Sequence, residues 1–206
     1  MSLFSVDDET RIADAISSAE RQTSGEIVVV VASQSDGYYY VPPLIGAIVS
    51  LLVPWVLIYF THLGLVAIYL IQLAVFAVVT AALIPIVTRT ALVPTVIKHL
   101  HAHRAAVEQF LVQNLHTTSG RTGVLLFVSV AERYAEIVAD RAIDERVAPG
   151  TWKAIIDELT GAIGRGQATD GFVNAITAIG GVLAANFPPG SRRTGDELPN
   201  HLIILR

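Results

Sequence analysis

GYYYVPPLIGAIVSLLVPWVLIYFTHLGLVAIYLIQLAVFAVVTAALIPIVT, running from Gly37 to Thr88, contains no Asp, Glu, Lys or Arg. All 14 Lys and Arg and all 18 Asp and Glu of the 206-residue chain sit outside it. The rest of the chain therefore has the charge density of an ordinary globular domain, and the mean hydropathy of +0.56 comes largely from this one insert. Two segments within it, 41–60 and 65–87, are each about as long as the ~20 residues that a helical membrane span requires. Their many Leu, Ile, Val and Phe residues favour insertion by roughly several kcal/mol per helix, and Pro54, Gln72 and Pro85 subtract from that. A 206-residue chain has too little other surface to wrap two helices that are apolar all round, so a hairpin in lipid is expected rather than one in a soluble core.

The flanks of the hairpin fit a bilayer. Tyr38, Tyr39 and Tyr40 precede the first span and Trp55, Tyr59 and Phe60 lie near its far end, where interfacial aromatic residues belong. The connector 61–64 has no Lys or Arg, whereas Arg21 precedes the hairpin and Arg89, Lys98 and Arg104 follow it. The positive-inside rule then expects both termini and the soluble part in the bacterial cytoplasm, with the chain in the cytoplasmic membrane. The first 20 residues include Asp7, Asp8, Glu9, Arg11 and Asp14, which leaves no apolar signal-peptide core there.

Outward from the insert, the soluble parts alternate helix and strand. Ser5 is placed to cap a first helix with acidic residues in its opening turn, and Gly25 is expected to end it. EIVVVVA (26–32) is a β-branched run of the kind buried on both faces of an α/β sheet. After the insert, Pro94 should open a helix to about Leu115, with Val96, Leu100, Val107, Phe110 and Leu111 facing inward. VLLFVSV (124–130) reads as a second buried strand, and AERYAEIVAD (131–140) as a turn and a third strand antiparallel to it. Thr151 is expected to cap an amphipathic helix, and Asp170 to open another that ends before FPPG (187–190). Residues 191–197 read as a polar tail, and NHLIIL (200–205) as an edge strand or a membrane-docked segment. A strand with one preceding helix needs the later strands beside it. The predicted division is thus 1–36 and 89–187 as one domain, 37–88 as the hairpin inserted into it, and 188–206 as the tail.

Three stretches resemble the TPM domain family: TSGEIVVVV (23–31), RTGVLLFVSVAERYAEIVAD (121–140) and GTWKAIIDELTGAIGRGQATDGFVNAI (150–176). They follow the family order of helix, strand, helix, a GVLLxVS strand with its hairpin partner, then two helices joined by a G…DGF link. The likeness spans about 4–187 and is nearest to the bacterial membrane-protein branch, in which a helical hairpin interrupts the domain after the first strand. It implies a small Rossmann-like α/β sandwich with helices around a short mixed sheet. Family members are associated with membrane-protein complexes, and phosphatase activity and divalent-metal binding have been proposed for some. Many members carry an acidic pair after the GVLLxVS strand, where this chain has Glu132 and Arg133.

For chemistry, the rim beyond the carboxyl ends of parallel strands is the expected ligand position. Ser33, Asp36, Glu132 and Arg133 are predicted near it, with Asp140 and Asp144 joining from the segment after the third strand. The carboxylates Asp36, Glu132, Asp140 and Asp144 could hold Ca2+ or Mg2+ through oxygen ligands, with Ser33 and Arg133 as ligand-binding groups; the plainer reading is solvated loop charge. His99 and His103 share a helix face at metal-ligand spacing, and a cationic juxtamembrane helix explains them more simply. A formal charge of −4 without a basic stripe argues against nucleic acid. The absence of cysteine excludes thiolate chemistry and Cys-zinc sites. SGRTG (119–123) precedes a strand and lacks the Lys-Ser/Thr of a P-loop, no GxSxG is present, and spans without charge argue against transport. The expected role is a membrane-anchored accessory domain whose partners are the bilayer and other membrane proteins. The alternative is a metal-dependent phosphatase.

Overall fold

The structure, a computed structural model, describes residues 4–87, 93–117, 121–189 and 201–205. It divides into two compact units, one built from 1–35 together with 100–206 and the other from 36–99.

The first unit is a mixed α/β sandwich. Its sheet comprises β1 (Glu26–Ala32), β2 (Gly123–Ser129), β3 (Tyr134–Ala139) and β4 (Leu202–Leu205) in the order β3-β2-β1-β4. β1 runs parallel to β2, with Val28 opposite Leu125, and parallel to β4, with Val30 opposite Ile203; β2 and β3 are antiparallel. The run of valines in β1 is explained by this central place, since strand alternation sends its side chains to two different cores. Ile27, Val29 and Val31, with Val124, Leu126 and Val128 of β2, face three helices: α1 (Val6–Glu20), α6 (Thr151–Gly164) and α7 (Ala168–Asn186). Val28, Val30 and Ala32, with Leu125 and Phe127, face Ala106 and Phe110 of α4 (Thr95–Val112) and Leu115 of the 3-10 turn Leu115–Thr117. A short helix, α5 (Arg141–Asp144), follows β3.

Ser5 caps α1 in a full capping box: its hydroxyl accepts from Asp8 N–H at 3.2 Å, and its own N–H donates to Asp8 Oδ2 at 3.0 Å. Thr169 Oγ1 donates to the other Asp8 oxygen at 2.8 Å, and Arg11 pairs with Asp170 at 2.6 Å, so the openings of α1 and α7 are tied together. The hydrogen bonds from Ser5 and Thr169 hold the Asp8 carboxyl below its ordinary value. Along the same contact, Gly180 of α7 lies against Ala19 of α1, so close that a Cβ added there would sit 2.6 Å from the Ala19 Cβ.

The second unit holds α2 (Val41–Phe60) and α3 (Leu65–Val87), whose bounds coincide with the two predicted spans. Gly46 and Ser50 of α2, one turn apart, are buried, and Gly46 abuts Phe76 and Thr80 of α3, the small residues allowing close approach. Tyr38, Val41 and Val93 form a small cluster of their own. By length and composition, three helices among the described residues could cross a membrane: α2, α3 and α7. Their burial separates them. Protein covers 22% of the apolar window of α2 and 6% of that of α3, but 39% of that of α7.

Several expectations are corrected in detail. α1 ends at Glu20 rather than at Gly25. Thr151 is the first residue of α6, not its cap; the cap position is Gly150 at φ +88°, a left-handed backbone that glycine adopts without strain. α7 starts at Ala168, and Asp170 lies in its first turn. The inward face of α4 is Ala102, Ala106 and Phe110, while Val96, Leu100, Val107 and Leu111 are exposed. Alanines let the helix lie close on the sheet, and a helix apolar over so much of its circumference gives periodicity no single face to select. Tyr38, expected at a membrane interface, is wholly buried, whereas Tyr39, Tyr40 and Trp55 are exposed. Of the two expected placements of the apolar end segment, the edge strand is the one found, as β4. Arg89, the tail 191–197, and Ser119 and Gly120 of the SGRTG turn lie outside the described residues.

Candidate functional site

Parallel pairing of β1 and β2 brings their carboxyl ends to one rim, and the chain turns there twice. After β1, Ser33 N–H donates to Leu205 C=O at 2.9 Å and its own carbonyl accepts from Ala131 N–H at 3.1 Å. After β2, a tight turn carries Glu132 inward: it is only 3% exposed. Its carboxylate accepts the Ser35 N–H at 3.2 Å and the Ser129 hydroxyl, while Ser35 Oγ donates to Ser129 Oγ at 2.7 Å. The chemistry explains the burial. A carboxylate taken out of water must be repaid with hydrogen bonds to its charged form, and two serines and a backbone amide supply them. Glu132 therefore stitches the loop after β1 to the loop after β2.

Arg133, next in the turn, is exposed, has φ +52°, and is one of the residues lining a cleft of about 580 Å3. That cleft lies on the α6–α7 side of the sheet over the ends of β1 and β2, with Val31, Val128, Ile163 and Phe172 among its walls and Ser129 at its polar end. Phe4 closes part of it, stacked edge-to-face on Phe172 at 5.6 Å between centroids.

The predicted site residues are thus only partly gathered. Ser33, Glu132 and Arg133 share the rim. Asp140 and Asp144 do not, because β3 runs antiparallel: Ala139 pairs with Val124, and Asp140 N–H reaches Gly123 C=O at the opposite end of the sheet. There Asp140 caps α5 through Arg141 N–H at 2.9 Å, and Asp144 is exposed. Asp36 belongs to the other unit, where its Oδ1 accepts from Tyr38 N–H at 3.1 Å. Among the described residues no group of three or more His, Asp or Glu side chains is placed to hold a metal ion.

One cluster escaped the sequence reading. On β3, Tyr134 and Glu136 are two residues apart and so share a strand face. Tyr134 OH donates to Glu136 Oε2 at 2.9 Å, and His103 Nδ1 of α4 lies 2.9 Å from the same oxygen. Burial and the neighbouring Glu136 push the Tyr134 phenol well above its ordinary value. His103, considered for a metal pair with His99, is engaged with Glu136 across the α4–sheet contact.

Comparison with known proteins matches this architecture. Residues 87–182, from the end of α3 through most of α7, match the TPM domain. A solved structure, the NMR structure of BA42 protein from the psychrophilic bacterium Bizionia argentinensis, is similar at a TM-score of 0.61 over 98% of this chain and 96% of that one. Identity between the two is 20%, so the likeness speaks for the fold alone. Among curated proteins none matches the chain by sequence. The helix–strand order and the mixed sheet agree with that match, and residues 87–182 are similar to the TPM domain.

Proposed function

We propose that this chain is a membrane-anchored TPM-domain protein whose α/β unit serves as an accessory or interaction module for a membrane-protein complex. One observation carries the reading: α2 and α3 leave large apolar side chains outward along their length, including Trp55 at 71% and Phe60 at 84% exposure, with no charged residue among them. Contiguous apolar surface of that extent is stable when lipid covers it. α7 is apolar too, but Phe172, Ile176, Ile179 and Leu183 are used in the sandwich core. The two spans return the chain to one side, which suits an α/β unit assembled from both flanks of the hairpin. The distribution of Lys and Arg supports a cytoplasmic side for that unit. At the rim, Glu132 and its serines are spent on joining two loops, which favours a structural use of those groups.

The test has two parts. After an alkaline carbonate wash of membranes, the intact protein should stay in the pellet and be released by detergent; recovery in the wash would overturn the anchoring. Purified in mild detergent, it should migrate with other membrane proteins, and migration solely at its own mass would overturn the accessory role. A second reading, a divalent-metal-dependent phosphatase, draws on Arg133 in the lining of the rim cleft. Phosphate-ester turnover that needs Mg2+ or Ca2+ and is lost in both Glu132→Gln and Arg133→Ala would establish it instead.

A further inference from the structure

α4 carries an apolar row that the described residues leave largely exposed. At about 100° per residue, Val96, Leu100, Val107 and Leu111 fall within roughly a 60° arc of the helix, and they are 80%, 47%, 38% and 51% exposed. The core-facing side is a different one, made of Ala102, Ala106 and Phe110. His103 and Arg104 border the row on its two sides, and the helix holds Lys98 and Arg104 against a single acid, Glu108, in a chain whose net charge is −4.

We infer that this row lies against the surface of a bilayer containing anionic lipid, with its aliphatic side chains among the headgroups and Arg104 beside the phosphates; the inference rests on the hairpin being inserted in that same bilayer. Three features point to lipid. Seven residues separate the end of α3 at Val87 from the start of α4 at Thr95, and fully extended they span at most about 28 Å, so α4 begins close to where the second span leaves the membrane. Anchoring supplies the association entropy in advance, so a row too short to bind a free helix to lipid can hold a tethered one. Finally, a local cationic helix in an acidic chain matches an anionic surface, as interfacial helices with a Leu/Val face and flanking basic residues do.

The chain has no cysteine, so single-cysteine variants give unambiguous labelling of the full-length protein. Nitroxides would be placed at Leu100→Cys, Val107→Cys and Leu111→Cys, at Leu70→Cys on α3, and at exposed Glu158→Cys on α6 as the aqueous reference. All would be reconstituted in phosphatidylglycerol–phosphatidylethanolamine nanodiscs. The ratio of collisions with oxygen to collisions with a water-soluble nickel chelate should be several-fold higher at the three α4 positions than at Glu158, approaching that at Leu70. If they match Glu158 while Leu70 reads lipid, the inference falls and the anchoring stands. Labels shielded from both reagents mean that protein, such as a second copy, covers the row, and this also overturns it. A Leu70 label as aqueous as Glu158 removes the anchoring itself.

Discussion

Glu132 looks in sequence like a solvent-facing turn acid, and in the fold it is the opposite. Its carboxylate gathers Ser35 N–H and Ser129 Oγ at a place closed to water. Glu132→Ala should therefore leave a buried hydroxyl and an amide short of an acceptor, costing about 1–3 kcal/mol. Glu132→Gln, which keeps one acceptor oxygen, should lose less. Chemical unfolding of the two variants in detergent checks this, and equal stability of wild type and Glu132→Ala would remove the stitching role. Position on the rim was readable from the strand order, because Ser33, Glu132 and Arg133 directly follow the two parallel strands. Burial was not, since nothing local to Glu132 signals that Ser35, some hundred residues earlier, will supply its amide. The Tyr134–Glu136–His103 cluster had a partial signal in the two-residue spacing on β3; its third member arrives only through the packing of α4. Asp140 and Asp144 were misplaced for a related reason: their distance from the rim is set by the antiparallel course of β3, which also carries the chain to the far end of the sheet.

Elements were legible where one force decides them. β1 and the two long apolar helices were recovered at their observed bounds because unbroken apolar composition leaves few alternatives. On α4 only Phe110 of the expected inward residues is buried, since two apolar faces compete there and the one that packs is built mainly of alanines. That preference for small residues recurs where α1 crosses α7. Gly180 permits the helices to meet at Ala19, and Gly180→Val would force a branched side chain into a gap already closed. The helices should separate, at a cost of about 1–3 kcal/mol, with the thermal midpoint of the α/β unit lowered. Gly181, one residue on, has open space around its Cβ position, so Gly181→Ala should match wild type or exceed it slightly through better helix propensity. A midpoint equally depressed in both variants would mean that the effect is not one of close approach.

At the scale of the molecule, β1 draws its neighbours from far along the chain: β2 on one side and β4 on the other. Removing Leu202–Leu205 should bare the β1 edge and the Ser33 amide that Leu205 satisfies. An exposed, flat valine edge invites pairing between copies. The truncated protein should thus aggregate on mild heating at temperatures where the whole chain stays monodisperse, as light scattering would record; unchanged scattering would show that β4 is dispensable.

The same topology sets a timetable for synthesis. Val28 pairs with Leu125 and Val29 with Leu202, so β1 leaves the ribosome long before either neighbour exists. At roughly 5–20 residues per second, the interval before β2 follows is on the order of 5 to 20 seconds. Throughout it, a sticky valine ribbon stands alone while the chain's most oily stretch is being translated directly behind it. Whatever escorts the nascent polypeptide must hold that ribbon back from the greasy segment, and only after translation has passed Leu205 can the sheet close.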